Sequence, residues 1–572
     1  MPSLFDSLKS TGADRSAFKG DIDTADATLA TYSHDASLFE IKPRAVLFPK
    51  DSADVQSVVR WVNEQNAENQ GGALKSLKGA ELSKFSITAR SAGTDMSGGA
   101  VGASIILDFT RYMNKIIEVN GAKGTVQPGC YYRDFEKETM KTGYIIPTYP
   151  ASREICAVGG MVANNGGGEK SIRYGKTGDH LASLHVVFTD GNEYEVRPLT
   201  QAELEKKIAL ADPKNAFESS LYKKFWNLIQ ANYDAVMAAK PDVSKNSAGY
   251  YLWNVYDKKA GTFDLCRLIA GSQGTLGIIT EITFKLTKAP THSNILTVFL
   301  PDLSHTSQLV NELLPFKPES LETYDDYSMK LAIKFFFDFY KQVGAWGLVK
   351  LGCQFLPEVR MMATGGLPKL ILMAEFTGAS AAEVNKTMVA AEEHIQYFGY
   401  KTHIAHSEAE AQKYWKIRRE SFNLLRKHVK GERTAPFIDD IIVKPEFLPE
   451  FMPKLQKIMS EYKLTYTIAG HLGNGNFHII PLMDFKDPHS ADVVLELGKR
   501  VYDLVIQYHG SITAEHNDGI VRTPYLPLMF GPRVYELFVE TKKIFDPANI
   551  LNPGKKVGGT FDDIRREMVK TS

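Results

Sequence analysis

His471 to His478 reads HLGNGNFH, and further along Gly510 to Asp518 reads GSITAEHND. The apolar runs Leu464 to Ala469 and Phe477 to Leu482 predict two short strands, with Gly473, Asn474 and Gly475 as the turn between them. In such a hairpin His471 and His478 are expected to face each other across the ladder. Directly opposed Cβ atoms lie roughly 4.5–5.5 Å apart, close enough for both imidazoles to reach one divalent ion. Helical spacing would also bring them together, but two glycines argue against a helix. Glu515 is the natural third ligand, and two His with one carboxylate leave coordination positions open, the layout of a catalytic site. Adjacent residues on an extended strand point to opposite faces, so His516 is expected to be aimed away from the ion and able to move a proton. The competing reading is an ordinary hairpin with two surface or core histidines. The second segment and the Gly-rich turn weigh against it.

Upstream, Arg44 to Pro49 predicts a strand, Ser52 caps a helix carrying Val55, Val58, Val59 and Val62 at helical spacing, and Phe85 to Ala89 returns as a strand, a βαβ unit. Arg90 to Gly99, RSAGTDMSGG, is spaced as a loop between strands and continues into the strand Ser104 to Phe109. Such a loop offers backbone N–H groups to a pyrophosphate, although a plain Gly/Ser turn has the same composition. Tyr144 to Ser152 then leads through Gly159 and Gly160 to Asn164–Gly168, NNGGG, and to Tyr174. Three glycine clusters in sequence describe a long cleft that holds a stretched ligand by main chain. Leu184 to Val196 predicts a hairpin turning at Asp190 and Gly191, and Glu203 to Lys240 is helical. From Ile295 onward the rhythm becomes strand, amphipathic helix, strand, with strands at Ile295–Leu300, Leu370–Phe376, His403–His406, Phe437–Val443, Tyr466–His471 and Phe477–Leu482.

HLGNGNFH followed by ITAEH resembles the carboxy-terminal signature of the FAD-linked D-2-hydroxy-acid dehydrogenases. These form the D-lactate dehydrogenase and glycolate oxidase group of the vanillyl-alcohol oxidase, PCMH-type flavoproteins, and the likeness covers nearly the whole chain. It implies an α+β fold: a helical lead-in at 1–40, a two-part PCMH-type FAD-binding domain at 41–290, and a substrate-binding cap domain with a mostly antiparallel sheet and the metal site at 291–530. The segment 531–572 then returns to the FAD domain. The resemblance lays the ADP and pyrophosphate across Gly93, Thr94, Asp95, Ser97, Gly98 and Gly99, and the flavin ring near Ser152, Gly160, Asn164 and Gly168. Pro150, Gly159, Gly167, Tyr174, Gly277 and Ile279 complete the cofactor's contacts, with Asn552 beside the isoalloxazine. Ser91 to Ser97 contains no histidine, so the FAD is expected to be non-covalent. His471, His478 and Glu515 would hold zinc or manganese, and His516 would accept the hydroxyl proton. Arg418, three residues after Trp415, would bind the substrate carboxylate, while Arg419 faces solvent or a second carboxylate. The chain departs from the pattern at Asn474, where the family has Asp, at Asn517 and Asp518, where it has Gly-Ile, and at Gln273, where it has Glu.

The implied reaction is oxidation of a D-2-hydroxy acid to the 2-oxo acid by hydride transfer to flavin N5. D-lactate is the favoured substrate, D-2-hydroxyglutarate and glycolate are alternatives, and the electron acceptor is open between quinone, cytochrome, electron-transfer flavoprotein and oxygen. A flavin-carrying electron-transfer subunit is the rival of another class, and an alkyl-glycerone-phosphate synthase, marked by a run of consecutive histidines absent here, the rival within the fold.

At 572 residues the chain should hold two or three domains, and its 67 basic and 67 acidic residues give no electrostatic case for nucleic acid. Cys130, Cys156, Cys266 and Cys353 form no CxxC pair, which argues against a locally spaced iron–sulfur or thiolate zinc site and fits a reducing compartment. MPSLFDSLKS lacks the pattern of a signal peptide, so a cytoplasmic location is expected. Ala332 to Leu356 is interrupted by lysines and Asp338; it suits helix packing under the cap or peripheral contact with a membrane. A homodimer is compatible with the sequence.

Overall fold

Ala45–Phe48 is buried along its whole length, as a strand covered on both faces must be, and it pairs in parallel with Ile105–Asp108. Ile87–Arg90 runs parallel on the far side of Ile105–Asp108, so the two strands expected to form one βαβ unit are separated by a third. The later strand reads IILD, is buried throughout, and lies between the other two. Between the outer two runs the helix Ser52–Gln70, which buries Val55, Val58, Val59 and Val62. Its cap is Asp51, whose Oδ1 accepts the Asp54 amide at 3.0 Å, and Ser52 is already inside the helix. The structure, a computed structural model, describes residues 5–570 apart from 13–14, 71–83, 210–215, 327–367, 408–409, 413, 416–417 and 419–430, with backbone alone at 69–70. Arg419, Cys353 and the stretch 332–356 lie outside the described residues.

The lead-in is not merely helical. Asp21–Asp23 adds an antiparallel edge strand to this first sheet by pairing with Val46–Phe48, and a helix follows at Asp26–Tyr32. A five-stranded antiparallel sheet comes next, in the order Ile116–Asn120, Lys123–Val126, Ile278–Lys285, Leu181–Val187, Glu193–Val196. The expected hairpin is its last pair, turning through Gly191 at φ 76°.

Among the described residues, eight strands of the second half form one sheet whose pairings are all antiparallel. His292–Leu300, Leu370–Gly378, Thr465–His471 and Asn476–Met483 correspond to expected strands, and Lys401–Ile404 overlaps the expected His403–His406 only at His403 and Ile404; Ser320–Asp325 is additional and lies between Leu370–Gly378 and Thr465–His471. Phe437 to Val443 is not one strand, because Asp440 adopts φ 69° and only Ile441–Ile442 pairs. Alternation decides what each face does. Leu296, Val298, Leu300, Leu321, Phe477 and Ile479 point into a core shared with the helices Thr306–Leu313, Ala381–Ile395, Leu448–Ser460 and Ser490–Gln507. Burying each such side chain contributes about 1.5–3 kcal/mol. Ile295, Phe299, Tyr324 and Met373 point the other way, against Ala411, Tyr414 and Trp415. Glu322 and His478 occupy this second face.

After the helix Leu526–Phe545 the chain returns to the first sheet. Leu551 bridges Ile87 in parallel, and the Asn552 amide donates to the Ile87 carbonyl at 2.8 Å.

Candidate active site

The hairpin turn is tighter than a simple ladder reversal: Leu472–Asn474 makes a 3-10 turn that closes on Gly475 at φ 74°. A Cβ on Gly475 would lie 1.9 Å from the Val443 carbonyl oxygen, so only glycine fits there. His471 therefore pairs with Asn476 and His478 with Ala469, and the two histidines are diagonal neighbours, not directly opposed. Because Asn476 and His478 share a face, the rings still meet with centroids 5.2 Å apart and planes at 89°.

Glu515 and His516 do not sit on an extended strand. The Asp440 carboxylate accepts both of their amides at 2.7 Å and the Thr513 hydroxyl at 2.7 Å, folding the segment so that both side chains enter one site. Glu515 Oε1 is 3.0 Å from His471 Nε2, and ligand atoms of His471, His478 and Glu515 lie within 4.8 Å of one another. His516 stacks on His478 at 5.0 Å between centroids.

Each imidazole is held from behind. Glu322 Oε1 is 2.6 Å from His471 Nδ1, Asp439 Oδ1 is 3.1 Å from His478 Nδ1, and Asp439 Oδ2 is 2.6 Å from His516 Nδ1. A carboxylate on Nδ1 fixes the tautomer and directs Nε2 at the site. Burial disfavours charge on all of these groups, but their partners outweigh it. Arg418 and His471 bring the Glu322 carboxyl down to about 2, His478 and His516 lower Asp439, and Lys245 with His471 holds Glu515 well below the usual carboxylate range. Asp439 and Asp440 lift His516 to about 9 against its burial.

Arg418 lies beside the cluster, where its Nη2 is 2.5 Å from Glu322 Oε2 and 3.5 Å from His471 Nδ1. Sequence reasoning missed Glu322, Asp439, Asp440 and Lys245, whose Nζ is 2.8 Å from Glu515 Oε1. Paired acids inside the apolar run Phe437–Val443 were the available signal for two of them. Asn474 turns away from the imidazoles and donates to Ser244 Oγ at 2.8 Å, so its identity bears on how the turn docks. Asn517 donates to the carbonyls of Asn164 and Gly271, and Asp518 forms a buried ion pair with Lys556 at 2.8 Å.

The glycine segments enclose a cleft lined by Gly93, Thr94, Asp95, Gly99, Gly159, Gly160, Asn164, Gly277 and Ile279, together with Arg90, Ser91, Pro128 and Gln273. Space is open inside it: a Cβ on Gly160 would meet nothing nearer than Ser91 at 4.0 Å. Ser97 and Gly98 sit behind this wall, the first bonded to Asp95 and Gln273, the second against Phe39. Asn552 is likewise behind it, fully buried, donating to the Gly99 and Gln273 carbonyls at 2.8 Å and accepting from Thr88, which makes it a brace for the loop and not a lining group. Gln273 Oε1 accepts the Gly519 amide at 2.8 Å. Pro150, Ser152, Gly167, Gly168 and Tyr174, expected at the cofactor, are not among the residues lining this cleft. Gly167 is 3.6 Å, measured from an added Cβ, from Glu515 Oε2, and the Tyr174 hydroxyl is turned to Glu319 at 3.3 Å.

Residues 43–197 match the family described as FAD binding domain, and residues 289–556 match FAD linked oxidases, C-terminal domain. The chain belongs to the PCMH-type FAD-linked flavoproteins. Within this PCMH-type family, a D-2-hydroxyglutarate dehydrogenase of Pseudomonas putida is 28% identical over 97% of this chain and 52% of its own length. The chain thus spans about half the length of that relative. A D-lactate dehydrogenase of Anaerostipes hadrus is 24% identical over 92% of both chains. Among solved structures, p-cresol methylhydroxylase superposes with a TM-score of 0.64 at 16% identity, covering 95% of this chain and 94% of that one, a likeness of fold. The cleft suits the flavoprotein's cofactor: small residues on three segments leave backbone exposed to an elongated ligand. The imidazole cluster suits a cation as well, since two ring nitrogens and one ionised carboxylate converge with their rear atoms already hydrogen-bonded. No helix among the described residues is long and apolar enough to cross a membrane.

Proposed function

We propose that the protein oxidises a D-2-hydroxy acid to the corresponding 2-oxo acid, using FAD held non-covalently in the glycine-lined cleft and a divalent cation, zinc or manganese, on His471, His478 and Glu515. When bound, FAD supplies a two-electron acceptor and the cation supplies Lewis-acid stabilisation of a developing alkoxide. The chain's own residues supply position and proton transfer. Asp439 holds His516 by Nδ1 and turns Nε2 to the site; with the imidazole lifted to about 9, the neutral ring that can take the substrate hydroxyl proton is the form populated above that pH, and the Asp440 carboxylate fixes the backbone on which Glu515 and His516 stand. Arg418 brings a planar guanidinium to the edge of the cluster, the group that best matches the substrate's carboxylate.

The observation that carries this reading is the convergence of three imidazoles and Glu515, each ring backed by a buried carboxylate. The substrate class also draws on relatives named for D-2-hydroxyglutarate, glycolate and D-lactate. D-2-hydroxyglutarate takes precedence over D-lactate as the first substrate to test, because a relative bearing its name reaches 28% identity, against 24% for the glycolate and D-lactate relatives. The test is anaerobic addition of each acid to the flavin-loaded protein, before and after removal of metal by a chelator. Bleaching of the flavin by one D-enantiomer, lost on chelation and restored by zinc or manganese, is the expected result. A flavin that stays oxidised with every acid would leave only a flavin-carrying scaffold.

A further inference from the structure

Lys245 stands against the carboxylate that the cation reading needs. Its side chain is 1% exposed, and its Nζ donates to Glu515 Oε1 at 2.8 Å and to the Gly168 carbonyl at 3.4 Å. The same Glu515 oxygen lies 3.0 Å from His471 Nε2. One oxygen therefore serves a resident ammonium and an imidazole at once. Solvent does not reach the lysine, and the Gly168 carbonyl is its second acceptor.

We propose that Lys245 is a positioning residue that acts as a built-in competitor for the cation at His471, His478 and Glu515. This inference rests on the reading of that cluster as a cation centre given above. Through its 2.8 Å hydrogen bond Lys245 holds Glu515 Oε1 beside His471 Nε2, so the ligands are set before any ion arrives. The same ammonium opposes a second positive charge. Carboxylate–cation distances are about 2 Å, so an ion on Glu515 comes within several ångströms of Nζ, a spacing at which like charges in a buried site repel strongly. A modest, exchangeable affinity follows, in place of the tight grip that two imidazoles and a free carboxylate would otherwise give.

The test is equilibrium binding of Mn²⁺ to the flavin-loaded, chelator-stripped protein, read from the electron paramagnetic resonance signal of free Mn²⁺. The wild type is compared with Lys245→Met, Lys245→Arg and His478→Ala, and with Lys245→Met/His478→Ala. Flavin absorbance confirms that each variant is folded and loaded, and Lys245→Gln replaces the Met variant if it fails that check. Removing the ammonium should tighten Mn²⁺ binding by about tenfold or more, while Lys245→Arg, which keeps the charge, stays near the wild type. Loss of His478 should abolish binding in both backgrounds. Equal or weaker binding in Lys245→Met, with His478 still required, overturns the role of Lys245 and leaves the cation centre standing. Binding that ignores His478, or absence of binding in both wild type and Lys245→Met, overturns the cation reading and this inference with it.

Discussion

Asp439 serves two imidazoles with one carboxylate, Oδ1 to His478 and Oδ2 to His516, and so ties a candidate ligand to the candidate base. Replacing it by Asn keeps the shape but removes the charge that both rings need. Asp439→Asn should weaken Mn²⁺ binding by about 10–100-fold in the isotherm described above, as loss of the carboxylate behind a ligating His does elsewhere. His516→Gln should act differently, slowing substrate-driven flavin bleaching by about 10²–10⁴-fold in stopped flow while leaving flavin bound, and undiminished bleaching would remove His516 from the mechanism. A third residue makes a pH-dependent prediction. Lys176 is buried, donates to the Asn246 and Ala514 carbonyls and to Ser247 Oγ, and burial pushes it down to about 7. An unfolded lysine titrates at about 10.4. Between those values the unfolded chain keeps a proton that the folded chain has released, so stability rises with pH, by at most about 1.4 kcal/mol per unit. Lys176→Met should lose that rise, so urea unfolding from about pH 7 to pH 10 should show the difference from wild type growing in the wild type's favour. A constant difference would show that folded Lys176 keeps its proton.

At the scale of elements, what was legible followed from punctuation and period. Strands bounded by glycine or proline, such as Ala45–Phe48 and Asn476–Met483, announce themselves by apolar runs, and the glycine segments that line the cleft do so by composition. Pairing partners distant in sequence do not. Glu322 stands 149 residues before the His471 it supports, on a strand whose place in the sheet is set by neighbours on both sides, so nothing local marks it. Asp439 and Asp440 lie in a run that reads as a strand, and the φ of 69° at Asp440 that breaks the run shows only in the fold. The paired change at Asn517 and Asp518 has the same character: Asp518 is matched by Lys556 across the return of the chain, both fully buried. Lys556 also donates to the carbonyls of Ser247 and Gly249. Lys556→Met should cost about 3–5 kcal/mol in urea unfolding, because it strands a buried carboxylate. Adding Asp518→Asn should recover part of that loss. A Lys556→Met variant as stable as the wild type would mean that Asp518 finds another partner.

Across the whole molecule, the segment Thr513–Asp518 joins the two halves. Its Thr513 carbonyl accepts the Ser247 amide at 2.9 Å, its Ala514 carbonyl accepts Lys176 at 2.8 Å, and Asn517 donates to Asn164 and Gly271 on the cleft side, while Asp440 binds it from the eight-stranded sheet. Asn164 is itself a wall of the cleft and donates to Asp95 at 2.8 Å on the glycine loop. Ordering that loop around FAD should therefore order the backbone that carries Glu515 and His516, and a cation on Glu515 should act back along the same hydrogen bonds. Two ligands that favour one arrangement bind with positive coupling, commonly 1–3 kcal/mol or about 5–150-fold, and thermodynamics requires the factor to be the same in both directions. The expected result is that Mn²⁺ binds several-fold more tightly to flavin-loaded than to deflavinated protein, and that FAD binds more tightly by an equal factor when Mn²⁺ is present. Asn517→Ala removes the direct link to Asn164 and should shrink that factor toward one with little change in either affinity measured alone. Independent binding of FAD and Mn²⁺ in the wild type would show that the cleft and the imidazole cluster are rigid neighbours, each complete without the other.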